Sequence, residues 1–272
     1  MFGASVRRND AGHLQANGEI GRMRQQPMRY LSWRTFCSCE PIRSFRSVTL
    51  DLLPKFIRKN YETYEWRHAT AVLSGDFPAE FDDLIFALTQ FRLFRSEIEM
   101  PGGGRSNISA RLDGYFRARG WTEKRFDTSF SVNGKVVEAR GHKIDNYKNG
   151  IACDVEWNNK TEFFDRDLGN FARLHDIGAL AAGIIITRAS HLSEIFETLG
   201  AVGEGGRAFA DKYGQSTTHL DKLVPKIHGG AAGGCPVLVF GIQRGLYVDD
   251  ISDASLFVKH PAPVGKKKPK AR

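Results

Sequence analysis

The stretch of sequence that decides the fold reads Asp145-Asn-Tyr-Lys-Asn-Gly150-Ile-Ala-Cys-Asp154-Val-Glu156-Trp157. Its second half, residues 151–157, predicts a β-strand. Because side chains alternate across a strand, Asp154 and Glu156 are predicted to share one face. The residues that alternate with them are mostly apolar, so we expect the acids to point outward and the apolar side chains to point into the core.

Turn residues place a third acid beside this pair. Lys148-Asn149-Gly150 predicts a tight turn between residues 151–157 and a preceding strand, so Asp145 is expected at the mouth of the hairpin, beside Asp154. Hard cations such as Mg²⁺ prefer oxygen ligands, usually one or two carboxylates. The pattern therefore predicts a divalent-metal site, with the alternative that Asp154 and Glu156 are ordinary solvated acids on a strand surface.

The flanking sequence predicts an α/β fold. A helical pattern from residue 165 carries apolar residues at 168, 171 and 174 and stops at Gly178, and the apolar run 181–187 is typical of a buried parallel strand. Upstream, helices are predicted at 48–62, at 77–97 and up to about Arg119. Strands are predicted at 126–132 and 136–144, joined by Asn133-Gly134, and at 237–242, parallel to the 181–187 strand.

These residues resemble a known family. The acids at 145, 154 and 156, followed about thirty residues later by Gly183-Ile-Ile-Ile-Thr-Arg188, resemble the BglII-type branch of the PD-(D/E)xK restriction endonucleases over roughly residues 126–190. The resemblance implies a core of helix, three-stranded antiparallel meander, helix and parallel strand, with N-terminal helices added. It also implies that Asp145 and Asp154 bind Mg²⁺. Glu156 departs from the family pattern, because it stands where a lysine is usual.

The function implied by the resemblance is that of a type II restriction endonuclease. Such an enzyme is a Mg²⁺-dependent homodimer that cuts double-stranded DNA at a short palindrome, here implied to be GATC-centred, and it is paired with a DNA methyltransferase in the cytoplasm of a prokaryote. In this reading Asp145, Asp154 and Glu156 are the catalytic residues, with Glu156 accepting a proton from water or orienting it. Two alternatives remain open, a structure-specific repair or recombination nuclease of the same fold and a non-cutting DNA-binding protein with a decayed site.

Several polar residues are candidate DNA contacts. They are Asn158, Lys160, Arg166, Thr217, Thr218 and His219. Each has a plainer alternative, namely a solvated side chain for Lys160, a polar loop for residues 217–219, and for Arg166 a helix-surface salt bridge with Asp165 or Asp167. His142 is predicted to be structural and to lie on the face opposite Asp145.

Charge and composition suggest the domain boundaries. The net charge is +8, which favours a polyanionic partner without specifying one. Residues 1–46 are arginine-rich and acid-poor and are predicted to be a flexible basic extension, with 47–262 as the nuclease domain and 263–272 as a basic tail. No apolar run is long enough to span a membrane, so a soluble intracellular protein is expected. Cys153 is expected to be a buried, reduced cysteine.

Overall fold

The structure is a computed structural model, and it describes residues 48–100, 106–139, 141–200, 208–214, 216–253 and 255. The described residues all fall within one compact unit. The predicted extension at 1–46 and the predicted tail at 263–272 lie outside the described residues.

Helices surround the sheet on both of its faces. In chain order they are α1 (Lys55–Asn60), α2 (Ala69–Asp76), α3 (Pro78–Gln90), α4 (Arg95–Glu99), α5 (Asn107–Ala118), α6 (Glu162–Asp176), α7 (Ser193–Thr198), α8 (Phe209–Lys212) and α9 (Leu220–His228). Short 3₁₀ helices occupy Val48–Leu52, Ser190–Leu192 and Arg244–Leu246. Within the described ranges, none of the helices is long and apolar enough to cross a membrane.

The strands form one large sheet and two small ones. They are β1 (Tyr61–Trp66), β2 (Leu93–Phe94), β3 (Thr122–Arg125), β4 (Thr128–Val132), β5 (Lys135–Ala139), β6 (Lys143–Lys148), β7 (Ile151–Val155), β8 (Ala182–Arg188), β9 (Val237–Ile242) and β10 (Tyr247–Val248). The large sheet has the order β1-β9-β8-β7-β6-β3, while β10 pairs with β2 and β4 pairs with β5.

The pairing confirms the predicted α/β class. Strand β8 runs parallel to both β7 and β9, as predicted for the apolar runs at 181–187 and 237–242. The pairs β6–β7, β3–β6 and β1–β9 are antiparallel, so the sheet is mixed. Helix α6 crosses between the two parallel strands β7 and β8 and ends just before Gly178, whose φ of +72° lies in the left-handed region.

Both predicted two-residue turns are present. Asn133 and Gly134 have φ values of 51° and 77°, and Asn149 and Gly150 have 46° and 85°. Two consecutive positive φ angles define the type I′ turn, whose twist matches that of the strands it joins. The second of these turns fixes the register of β6 against β7, and thereby the residue that faces Asp154.

The sheet separates two hydrophobic cores. Cys153, Val155 and Trp157 belong to the core under the N-terminal helices. Ala152 lies on the opposite face of β7, which it shares with Asp154, and it belongs to the core under α6 and α9. The predicted alternation along β7 is therefore confirmed, including the buried Cys153, which forms no disulfide.

Three expectations about the elements were wrong. The helix predicted over 48–62 is instead a 3₁₀ helix followed by α1, which ends at Asn60. The chain then enters β1, because Tyr61–Trp66 gains a full antiparallel pairing with β9. The helix predicted over 77–97 ends at Gln90 and is followed by β2 and α4. The strand predicted at 136–144 is instead divided between β5 and β6, which belong to different sheets. Strand β5 pairs with β4 in a small sheet, and β3 takes the place beside β6 in the large one.

Candidate functional site

Backbone register brings Asp145 and Asp154 together. Asn146 pairs with Cys153 across β6 and β7, so the next residues along, Asp145 and Asp154, face each other. The Asp145 amide donates a hydrogen bond of 2.8 Å to Asp154 Oδ1. The predicted proximity of these two acids is therefore confirmed, whereas their role as metal ligands remains a prediction.

The backbone of Glu156 is held by two segments of the chain, β8 and the loop at 216–219. Its amide donates to the Ile186 carbonyl at 2.9 Å. Its carbonyl accepts from the hydroxyls of Thr187 and Thr218, at 2.8 and 3.1 Å. Since β8 and the loop at 216–219 both hold this residue, the Glu156 carboxyl projects from a fixed point just beyond the end of β7.

The acids do not point to solvent, which corrects the expectation from the sequence. Asp154 and Glu156 are 3% and 2% exposed. They lie on the face of the sheet that helix α6 covers, beside the core that contains Phe164 and Leu168. A carboxylate under a helix loses its hydration and needs donors or a cation in exchange.

Helix α6 supplies two charged groups to the same place. Arg166 Nη2 donates to Glu156 Oε1 at 3.3 Å, and Arg166 Nε donates to Asp167 Oδ1 at 2.9 Å. Asp167 is fully buried. Of the two salt bridges considered for Arg166, the one with Asp167 is therefore confirmed, while Asp165 pairs instead with Lys226.

Sequence reasoning did not single out Asp167, although a signal for it exists. Asp167 precedes Phe171 by four residues and Leu174 by seven, a spacing that places it on the apolar stripe of α6 rather than on its solvent face. A charged residue on the buried stripe of a helix is rarely without a partner. That position alone was enough to mark Asp167 as a candidate site residue.

The protonation of these acids is strongly perturbed. Burial, followed by the charge of Asp167, raises the pKa of Asp154 well above its usual range. Burial, the charge of Asp167 and a hydrogen bond between the two carboxyls raise the pKa of Glu156 to about 9, against donors on Asn159 and Arg166 that lower it. Burial also raises the pKa of Asp167, although Arg166 opposes it. At neutral pH the group therefore retains protons in the absence of another cation.

His142 lies closer to this group than its position in the sequence suggested. Burial lowers the pKa of its imidazole, the positive charge of Arg166 lowers it further, and the negative charge of Asp167 raises it. Strand alternation was not a valid guide here, because β6 begins only at Lys143. His142 is thus within electrostatic reach of Arg166 and Asp167.

The donor chemistry suits a divalent metal, but the site is not a closed metal cage. Carboxylate oxygens are the ligands that Mg²⁺ prefers, and four acids converge here with Arg166 as their close cation. Among the described residues, no three side chains of ligand type are already placed to hold a metal ion. One Asp154 oxygen accepts from the Asp145 amide, and Arg166 bridges Glu156 and Asp167. A metal would therefore require these side chains to reorient.

The predicted DNA contacts after β7 lie in a loop. Strand β7 ends at Val155, so alternation does not extend to Lys160, which is exposed and forms a single β-bridge with Thr217. The Asn158 amide donates to the Lys212 carbonyl at 3.2 Å. Lys160 is thus accessible to a polyanion, whereas Asn158 is already used inside the protein. Contact with DNA stays a prediction for both.

The other predicted contacts are partly internal. Thr218 is fully buried and His219 is 6% exposed. His219 Nδ1 lies 3.2 Å from the Ser190 hydroxyl. Beside them is a cavity of about 340 Å³, lined in part by Arg188 and Tyr213. Arg188 donates to the carbonyls of residues 214 and 218, and burial lowers its pKa to about 10. DNA contacts by residues 217–219 also stay predictions.

The comparison with known proteins identifies the family of this chain. The fold is α/β with a mixed sheet, and its buried acids lie at or near the carboxyl end of β7, where sites of open α/β sheets are commonly found. The family model described as restriction endonuclease BglII/BglIII matches residues 61–242, about two thirds of the chain, and the protein belongs to this family. No curated protein gives a significant match. Family membership implies a restriction nuclease, a hydrolase that acts on DNA, and confirms the resemblance found in the sequence.

The matched region coincides with the large sheet. Its first residue, Tyr61, begins β1, its last, Ile242, ends β9, and these two residues are paired partners in the sheet. All four acids of the site lie between them. The family match therefore includes both the scaffold and the candidate site.

Proposed function

We propose that the protein is a type II restriction endonuclease that hydrolyses both strands of a short palindromic duplex, using Mg²⁺ held by Asp145 and Asp154. The observation that carries the proposal is the register of β6 and β7, which pairs these two acids within the region that matches the family. In this reading β3, β6, β7, α6 and β8 are the restriction-endonuclease-like core. The working form is a homodimer, because a two-fold protein matches a two-fold target.

The metal, when bound, supplies charge neutralisation at the phosphate and lowers the pKa of a coordinated water. The residues of the chain do the remaining work. Glu156 is fixed by its backbone just beyond the end of β7 and accepts hydrogen bonds from Asn159 and Arg166. Those two donors stabilise its ionised form, in which a Glu156 oxygen accepts a proton from water or orients it. Glu156 thus takes a position at which a lysine would have supplied only a donor and a charge.

Binding to DNA is proposed to use the exposed basic surface beside the acids. Lys160, four residues after Glu156, is exposed, and Arg166 is about one-third exposed. Contacts of this kind attract phosphates and make affinity dependent on salt. A sequence-specific cutter also needs its own host sites protected, so we propose a partner DNA methyltransferase and a prokaryotic cytoplasm as its setting.

The test is digestion of unmethylated phage DNA by wild type, Asp154→Asn and Asp165→Asn, each with Mg²⁺ and with EDTA. Asp165 is a matched control, because it is an acid in the same part of the protein whose carboxylate is 52% exposed and, among the described residues, pairs only with Lys226. We expect discrete fragments from wild type and Asp165→Asn with Mg²⁺, and none from Asp154→Asn. Absence of cleavage by folded wild type on DNA of varied sequence refutes the proposal. Smeared products refute its sequence specificity.

A further inference from the structure

Two buried carboxyls face each other across the boundary between the sheet and α6. Glu156 comes from the end of β7 and Asp167 from the first half of the helix, and both are almost completely buried. Asp167 Oδ1 accepts from Arg166, but among the described residues Asp167 Oδ2 has no donor other than a proton that the Glu156 carboxyl shares with Asp167. The Glu156 carboxyl that interacts with Asp167 offers only acceptors once it is ionised.

An orphaned carboxylate oxygen is costly. Leaving a buried acceptor without a donor destabilises the fold, and the penalty is larger when the group is charged. Such an atom in an otherwise well-packed core indicates either a proton shared between the two carboxyls or a cation that completes them. The second explanation has an independent basis in the charge of the site.

The charges around Asp167 are unbalanced. Asp154, Glu156 and Asp167 are all buried, and Arg166 is the cation in contact with the last two. If the three acids ionise, one guanidinium leaves a net charge of −2 in a region of low dielectric. A divalent cation offsets that excess, and carboxylate oxygens are its preferred ligands.

We propose that Asp167 is a further ligand of the divalent cation, reaching the site from α6 to complete the set supplied by β6 and β7. The inference rests on the proposed metal-dependent function and extends it, because it assigns a metal ligand outside the hairpin. Arg166 then holds Asp167 in place while the metal is absent and shares it when the metal is bound. The site is thus built from both sides of the sheet–helix boundary, so the packing of α6 sets the metal geometry.

The test measures metal binding directly, with no DNA and no turnover. Isothermal titration of Mn²⁺ into the full chain is carried out for wild type, Asp154→Asn, Asp167→Asn and Asp165→Asn. We expect Asp167→Asn to weaken Mn²⁺ binding by at least about tenfold, since loss of one charged ligand of a hard cation is worth more than about 1.4 kcal/mol. Asp165→Asn, two residues away on the same helix, is expected to bind as wild type does.

A second measurement guards against misfolding. The melting temperature of each variant is recorded with EDTA and with saturating Mn²⁺. We expect Asp167→Asn to melt in EDTA at or above the wild-type temperature, because the asparagine amide can donate to Glu156, and to lose most of the Mn²⁺-induced rise. A wild-type Mn²⁺ affinity or a wild-type rise for Asp167→Asn overturns the assignment.

The failure of this inference is distinguishable from the failure of the proposed function. If wild type, Asp165→Asn and Asp167→Asn all bind Mn²⁺ equally and only Asp154→Asn loses it, Asp167 is not a ligand and the metal-dependent function stands. If wild type shows neither Mn²⁺ binding nor Mg²⁺-dependent cleavage, the proposed function itself fails.

Discussion

Replacing Gly183 with alanine tests how helix α6 is seated on the sheet. Gly183 lies in β8, and a Cβ atom at this position would stand 2.3 Å from Cδ2 and 2.6 Å from Cε2 of Phe171. Carbon atoms pack at about 3.5–4.0 Å, so the ring must retreat by roughly 1–1.5 Å. Phe171 is fully buried, and it is part of the helix that carries Arg166 and Asp167. The added methyl group therefore pushes against the helix itself.

The expected cost follows from the overpacking. Inserting a methyl group into a well-packed core destabilises by about 1–3 kcal/mol. For a domain of this size, each kcal/mol lowers the melting temperature by about 2–4 °C, so Gly183→Ala is expected to melt about 2–12 °C below wild type. A displacement of α6 by about 1 Å is also expected to reduce cleavage by up to about a hundredfold.

The assay is thermal unfolding in EDTA, followed by the rate of DNA cleavage at a temperature where the variant is folded. Gly169→Ala is the matched control, because Gly169 lies in the middle of the same helix and a Cβ added there would meet no atom within 4 Å. That change is expected to stabilise by about 0.5–1 kcal/mol through helix propensity. A Gly183→Ala protein with wild-type melting and wild-type rate would refute the reasoning, whereas partial recovery by Phe171→Leu would support it.

Three further predictions concern charged groups. Because the pKa of Glu156 is raised to about 9 from an unfolded value near 4.5, the folded chain retains a proton between these pH values that the unfolded chain releases, and stability falls as pH rises. In EDTA, Glu156→Gln is therefore expected to lose less melting temperature than wild type between about pH 6 and about pH 8. The difference corresponds to at most about 3 kcal/mol of unfolding free energy, and equal losses in the two proteins would contradict this. Asp83→Ala removes the carboxylate that accepts hydrogen bonds from Trp121 and Lys148, and urea unfolding should show a loss of about 2–4 kcal/mol, with a loss below about 1 kcal/mol counting against it. Asp165→Asn removes only an exposed ion pair and should change the unfolding free energy by less than about 1 kcal/mol, so that a larger change would show a role that its contacts do not explain.

Local sequence signals predicted the parts of the fold that depend on local chemistry. The turn at Asn149-Gly150 requires two positive φ angles, which asparagine and glycine adopt readily, so the sequence predicted it. The pairing of Asp145 with Asp154 followed from that turn. The buried strand β8 was equally visible as an unbroken apolar run. In both cases the determining interactions lie within a few residues of each other.

The errors arose where distant contacts decide the outcome. Tyr61–Trp66 has both helix-like apolar spacing and strand-type residues, and only the partner β9, about 175 residues later, makes it a strand. The burial of Asp154 and Glu156 likewise depends on how α6 folds back over the sheet. Alternation assigned the correct face to these acids, but it carried no information about what covers that face.

The contact between Arg166 and Glu156 also restricts how this site can change. A lysine at position 156, the more usual residue in the motif that this chain resembles, would place an ammonium beside a guanidinium that now lies 3.3 Å from Glu156 Oε1. Like charges in a largely dehydrated site repel strongly. The effect of a substitution at 156 therefore depends on which residue stands at 166, ten positions away. Replacing Glu156 with lysine therefore requires a simultaneous substitution of Arg166. A library that varies only one of these two positions would contain few functional variants.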